Sequence, residues 1–241
     1  MHWVWVLATT VVLLGLLLHW LFVTTEGTYL GSRVVILLYD WTAARYDAIK
    51  NLHFVNEARY LGIPLVEALA MVDCPWVLDV ATGTGRMPLA LLREADFRGM
   101  VVGIDRSMPM LAKGRTPLQE YGQRVALSRQ DAASLAFADQ SFDAVTCLEA
   151  MEFMIHPLTV LAEMVRVLKP GGLALISNRV GPEARFFPGR MSNRGRLEEA
   201  LSRLGMVDIV TERWQVHYDL VWARKPASGT PLEPASANTS G

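Results

Sequence analysis

The chain has 241 residues, 51% of them hydrophobic and only 20% charged, an apolar balance for a soluble protein of this size. Its 23 Lys and Arg against 24 Asp and Glu exclude a strongly basic nucleic-acid binder, so no nucleic-acid partner is expected. Two cysteines far apart in apolar runs, Cys74 and Cys147, exclude a metal cluster or a disulfide framework and read as small buried hydrophobes in a reducing compartment.

The apolar excess is concentrated at the start. Residues 2–23 carry no formal charge at neutral pH and are long enough, at ~1.5 Å per residue, to cross a ~30 Å hydrocarbon core. Trp3, Trp5 and Trp20 lie near the two ends of this run, where indoles prefer the headgroup boundary. A cleaved signal peptide fits less well, because no basic segment precedes the run and the run is too long. Residues 1–23 are therefore read as a retained single-pass transmembrane anchor. Arg33, Arg45 and Lys50 follow it, which places the rest of the chain on the cytoplasmic side.

Residues 24–60 read as a linker and a helical lid. Within them Val35, Leu38, Tyr39, Ala43, Tyr46 and Ile49 recur near the helical period, predicting a helix over 33–50 that lies against the domain or the membrane face. Residues 61–226 then alternate strands and helices. The run WVLDV (76–80) is a strand, ATGTGR a glycine loop, and the next segment a helix with Pro88 in its first turn. MVVGID (100–105) is a second strand, followed by a helix for which Ser107 is the N-cap. FDAVTCL (142–148) leads to a helix over 157–169 with Leu158, Leu161, Met164, Val165 and Leu168 on one face. A turn at 169–172 precedes the strand LALIS (173–177).

Alternation of this kind implies a mostly parallel sheet with helices on both faces. A loop over 179–196 and a helix over 197–205 follow. Two strands then come in succession and should pair antiparallel at one edge of the sheet. The polar tail, 227–241, has too few apolar groups to offset its chain entropy and is expected to be disordered.

In an open parallel sheet, ligands bind beyond the carboxyl ends of the strands. Gly83 and Gly85 let the backbone approach a ligand closely there. Asp79 stands before the glycines, where a carboxylate would repel a pyrophosphate but could receive an ammonium group. Pro88 also occupies a position where a dinucleotide loop wants a small residue, which disfavours NAD(P). Asp105, at the end of the second strand, is placed for ribose hydroxyls, and Asp131 could accept from an exocyclic amine. Each of these aspartates taken singly could equally be a turn or cap residue.

Taken together, VLDVATGTG (77–85), VVGID (101–105), QDAASLAFADQSFDAV (130–145) and RVLKPGGLALIS (166–177) resemble the class I S-adenosylmethionine-dependent methyltransferases. The resemblance covers about residues 36–225. It implies an α/β fold, a doubly wound seven-stranded Rossmann-like sheet with an antiparallel C-terminal strand pair, and S-adenosylmethionine as cofactor. It further implies that Asp79 with Ala81, Thr82, Gly83, Thr84 and Gly85 holds the methionine part, Asp105 the ribose, and Asp131 with Ala132 the adenine. Ala81, where many members have Gly, and the Tyr39-Asp-x-x-Ala-x-x-Tyr46-Asp47 pattern are similar to the ubiquinone/menaquinone C-methyltransferases. After the fourth strand that subfamily shows a Phe-Gly-x-Arg-Asn stretch. Here the aligned residues are Glu149-Ala150-Met151-Glu152-Phe153, preceded by Leu148.

A general base is needed only if the acceptor must lose a proton during attack. The candidates are Glu149, Glu152 and His156. The plainer alternatives are a hydrogen-bond acceptor facing the cofactor for Glu149, a solvated loop carboxylate for Glu152, and a helix-entry residue for His156. Tyr39 and Tyr46 could close over the site as an aromatic lid, or could simply pack into the core. Arg179, Arg185, Arg190, Arg194 and Arg196, interleaved with Phe186, Phe187 and Met191, suggest contact with anionic headgroups or with a membrane-dissolved acceptor, the alternative being a solvated loop.

The sequence thus reads as a membrane-anchored methyltransferase acting on a small, lipophilic, quinone-like or lipid acceptor. A tethered module that binds cofactor or partner without methyl transfer is the second reading, and an NAD(P)-dependent oxidoreductase the third.

Overall fold

The computed structural model describes residues 2–43, 54–187, 191 and 194–227. Seven strands form one sheet: β1 (Trp76–Val80), β2 (Met100–Asp105), β3 (Val125–Arg129), β4 (Phe142–Cys147), β5 (Leu168–Arg179), β6 (Val207–Gln215) and β7 (Tyr218–Arg224). Their order is β3-β2-β1-β4-β5-β7-β6. The first five run parallel, and β7 pairs antiparallel with both β5 and β6. The antiparallel edge pair expected from consecutive strands without an intervening helix is therefore present.

The central strands are near-continuous apolar runs because both of their faces are covered. Val77, Val101, Ala144 and Leu175 point to one side of the sheet, where Leu61, Leu65, Met87 and Leu91 pack on them. Leu78, Val102, Val145 and Ile176 point to the other, against Leu161 and Met164. This is the two-residue period of a strand dividing its side chains between two cores.

Among the described residues, the helices are α1 (His2–His19), α2 (Ser32–Thr42), α3, α4 (Arg86–Leu92), α5 (Met108–Leu118), α6 (Pro157–Val167) and α7 (Arg196–Arg203). α1 runs on through a wider turn at Trp20–Thr24 and buries none of its side chains. α3 begins as Phe54–Glu57, widens over Ala58–Gly62 and resumes at Ile63–Ala68, crossing the expected boundary between residues 60 and 61. α5 starts as expected, with the Ser107 hydroxyl accepting from the Met110 amide at 3.2 Å.

Several expectations are corrected. Strand β3 gave no periodic signal, because an edge strand that is only half-buried needs no apolar run. The turn expected at 169–172 is absorbed into β5: the register against β4 slips between Phe142 and Ala144, and cross-strand hydrogen bonds pin Gly171 and Gly172 to Lys225. α6 rotates away from its predicted face, with Leu158 61% exposed and Val160 and Val167 buried instead. Cys147 is buried, but Cys74 is exposed in a turn after α3. The helix predicted over 33–50 is observed to Thr42, whereas Tyr46 and Ile49 lie outside the described residues.

Candidate active site

The strand order reverses between β1 and β4, and a cavity of about 370 Å³ opens beyond the carboxyl ends of β1, β2 and β4. The glycine loop supplies Ala81 and Gly83 to its lining, β2 supplies Ile104 and Asp105, and the segment leaving β4 supplies Leu148 and Glu149. Val35, Ile36 and Tyr39 of α2 form the opposite wall.

Asp105 organises this corner. Its carboxylate accepts the amide of Gly83 at 2.9 Å and that of Ser107 at 2.8 Å, tying the glycine loop to the start of α5. Burial pushes its pKa up, against the pull of those amides. The Ser107 hydroxyl donates in turn to Asp40, so α2 is fastened to the same corner. In the loop Gly83 and Gly85 adopt positive φ, and so does Ala81, with φ 57°. A side chain at Gly85 would strike Leu118 at 2.6 Å, whereas one at Gly83 would meet nothing within 4 Å.

Asp79, Thr82, Thr84 and Gly85 are not among the cavity's lining residues. Asp79 is buried behind the loop, where Thr146 donates to it at 2.6 Å. Burial raises its pKa to about 6. Asp131 lines the cavity rim with its side chain half exposed, accepts the Ala133 amide at 3.0 Å and faces Arg106 at 3.7 Å. Ala132 beside it is buried and also lines the cavity.

The three candidate bases separate. His156 is exposed at the mouth and lines the cavity. Glu149 lines it too, with a positive φ of 49°. Its carboxylate pairs with Arg86 at 2.7 Å and accepts from Gln215 at 3.2 Å, while its amide donates to Ser177. Glu152 is not a lining residue and is not a solvated carboxylate either. It is fully enclosed, bonded by the Tyr218 hydroxyl and 3.6 Å from Arg179, and burial raises its pKa.

Arg179 lies off the cavity, between Glu152 and Glu26 and 4.2 Å from the Phe187 ring centre. Arg185 is exposed and stacks over Phe186 at 5.1 Å. Tyr39 lines the cavity, donates to Glu26 at 2.9 Å and meets the Phe153 ring edge-on at 5.7 Å. Tyr46 lies outside the described residues.

Sequence reasoning missed Arg86, which bridges Glu149 and the buried Glu57 and lies 5.3 Å from the Trp214 ring centre. Its place directly after the glycine loop was the available signal. Gln215 and Tyr218, which come from the last hairpin, had none.

Residues 77–172 match the model of a family described as a methyltransferase domain. The fold is that of a class I methyltransferase. The matched segment runs from β1 into β5 and includes the glycine loop, Asp105 and Glu149. A ubiquinone/menaquinone biosynthesis C-methyltransferase of Geobacter sulfurreducens is 33% identical over 159 residues, 65% of this chain and 62% of that protein. A demethylmenaquinone methyltransferase of Lactiplantibacillus plantarum is 34% identical over 136 residues, 56% of this chain and 57% of that one. The chain thus spans about three fifths of the length of the curated relatives it matches.

Among solved structures, the cyclase SpnF superposes with a TM-score of 0.67 at 22% identity, covering 82% of this chain and 97% of its own. Phosphoethanolamine N-methyltransferase 2 of Haemonchus contortus, solved with S-adenosylmethionine, gives 0.59 at 20% identity over 71% of this chain and 52% of its own. These likenesses are of fold, and a cyclase among them illustrates that one fold hosts different reactions.

Proposed function

We propose that the protein is an S-adenosylmethionine-dependent methyltransferase, held at a membrane by α1 and acting on a small lipophilic acceptor, a quinone or a lipid. The observation that carries the reading is the convergence of Ala81 and Gly83 of the glycine loop, Asp105, the Asp131–Ala132 turn and Glu149 around one cavity.

The residues present fit the cofactor. At Gly83 the missing side chain keeps the loop open to the cavity, so backbone can approach a ligand. Asp105 is a fixed carboxylate suited to vicinal hydroxyls, and Ala132 with Ile104 and Met110 offers an apolar wall for a flat base. Glu149 presents a carboxylate for a cationic group, held in place by Arg86 and Gln215. Asp79 acts through the field of its charge and through the strand end it braces at Thr146, not by touching the ligand. When bound, S-adenosylmethionine supplies an electrophilic methyl group and leaves as a neutral thioether.

The chain's contribution is to align an acceptor against that methyl and to keep water out. Ile36, Tyr39, Leu148, Phe153, Met154 and Ile155 make the acceptor side apolar and aromatic, which favours a lipophilic acceptor. The names of the Geobacter and Lactiplantibacillus relatives support a quinone. For an acceptor that must lose a proton, His156 is the group at the mouth able to take it. The apolar length of α1 supports a span, and Arg33 after it supports a cytoplasmic domain.

The test is transfer of radiolabelled methyl from S-adenosylmethionine by the full chain into a membrane lipid extract. Label in the organic phase is the expected result. Failure to bind S-adenosylhomocysteine in calorimetry would overturn the reading. Binding without transfer to any lipid or aqueous acceptor would favour a tethered binding module, a reading that the engagement of Glu149 with Arg86 keeps open.

A further inference from the structure

The end of α1 is fastened to the domain. Trp20 in its last turn lies 5.0 Å from the Tyr29 ring and meets Phe186 edge-on at 6.2 Å, with Arg185 stacked on Phe186. Just beyond, Glu26 accepts from Tyr39 and faces Arg179 at 3.5 Å. The chain then makes one tight turn, Thr28–Leu30, and enters α2.

The two sides of α2 differ in kind. Val35, Ile36 and Tyr39 face the cavity, and Asp40, the acidic residue of this helix, turns inward to Ser107. On the other side Arg33, Leu37 and Trp41 succeed one another at four-residue spacing, so they form one stripe. Leu37 is 65% exposed and Trp41 82% exposed, and Tyr29 and Leu30 extend the exposed apolar surface back toward Trp20. An indole so fully exposed, next to an exposed leucine on a short helix, is unusual for a face meant for water.

We infer that this outer stripe of α2 is bedded in the headgroup boundary of the bilayer that α1 enters, so that one wall of the cavity is itself a membrane-surface helix. Continuity carries the assignment to lipid: the stripe starts at the aromatic cluster that ends the apolar helix. Indoles favour that boundary, and the stripe's one charge, Arg33, complements anionic headgroups. A lipophilic acceptor would then reach the cavity past α2 without first entering water. The inference rests on the reading of α1 as a membrane anchor.

The test uses the full chain carrying Trp41→Cys with Cys74→Ser, spin-labelled at position 41 and reconstituted into phosphatidylcholine/phosphatidylglycerol vesicles. A label at Met71, which is 97% exposed in the turn between α3 and β1, is the aqueous reference. Collision with a water-soluble nickel chelate should fall several-fold at 41 relative to 71, while collision with oxygen rises. Leu37→Cys in the same background gives the same reading from the preceding turn if Trp41→Cys fails to fold. Equal nickel accessibility at the two sites, in chain that floats with the vesicles, overturns the inference and leaves the anchor standing. Chain that does not float with vesicles overturns both. Spin–spin broadening at 41 that grows with the protein-to-lipid ratio assigns the stripe to a second copy and also overturns it.

Discussion

The carboxylate of Asp105 accepts the amide of Gly83 at 2.9 Å, joining the end of β2 to the glycine loop that follows β1. Because it also accepts from Ser107, its removal unties both a ligand-facing loop and a helix start. Asp105→Ala should cost about 1–3 kcal/mol of stability and at least tenfold in S-adenosylhomocysteine affinity. Asp105→Asn retains one acceptor and should keep most of the stability while still losing affinity. Thermal unfolding and calorimetry on the two variants check the split.

The glycine loop allows a sharper contrast. Gly83→Ala meets open space, so its cost to folding is the positive-φ penalty, about 1–2 kcal/mol, but the added methyl enters the cavity and should weaken ligand binding. Gly85→Ala strikes Leu118 and should harm stability more than binding. Ala81→Gly runs the other way. Ala81 already sits at φ 57°, so relieving it should raise stability by up to about 1 kcal/mol, or roughly 2–4 °C in melting temperature.

Asp79 predicts a pH dependence. Its pKa in the fold is about 6, raised from 3.8 by burial. Between those values the folded state holds a proton that the unfolded chain has released, so stability falls as pH rises through the window from about 4 to 6. The loss is on the order of 3 kcal/mol and is absent below the window. Asp79→Asn should flatten that part of the profile, and the difference between the two pH–stability curves is the measurement.

Glu152 is buried off the cavity, bonded by the Tyr218 hydroxyl and facing Arg179. Glu152→Ala leaves Arg179 and Tyr218 without their central partner and should cost about 3–5 kcal/mol. Glu152→Gln should cost less and leave the pH profile of methyl transfer unchanged. A profile that loses a limb in Glu152→Gln would show that the carboxylate reaches the reacting atoms.

What was legible in the sequence follows from what each element needs. β1 and β2 are buried on both faces and bounded by glycine and aspartate, so their limits were readable to the residue. Ser107 was readable as a cap because its hydroxyl acts on its own helix. β3 at the edge needs only its neighbour's backbone, and α6 keeps an apolar residue, Leu158, on its exposed side, so periodicity failed for both. In the site, Asp105, Gly83, Glu149 and Tyr39 were nameable because they sit on local motifs. The burial of Glu152 was not legible, because its partners, Arg179 and Tyr218, arrive from β5 and β7, and no local pattern records such meetings.

The last hairpin has a consequence for biosynthesis. Gln215 and Tyr218 hold Glu149 and Glu152, so the two glutamates get these partners only after the final strands are made. A chain cut before Val207 would possess the glycine loop and Asp105 yet would bury Glu152 without its hydroxyl donor. Gln215 lies 66 residues beyond Glu149, and Tyr218 66 residues beyond Glu152. The two glutamates acquire their final partners only once β7 has paired with β5.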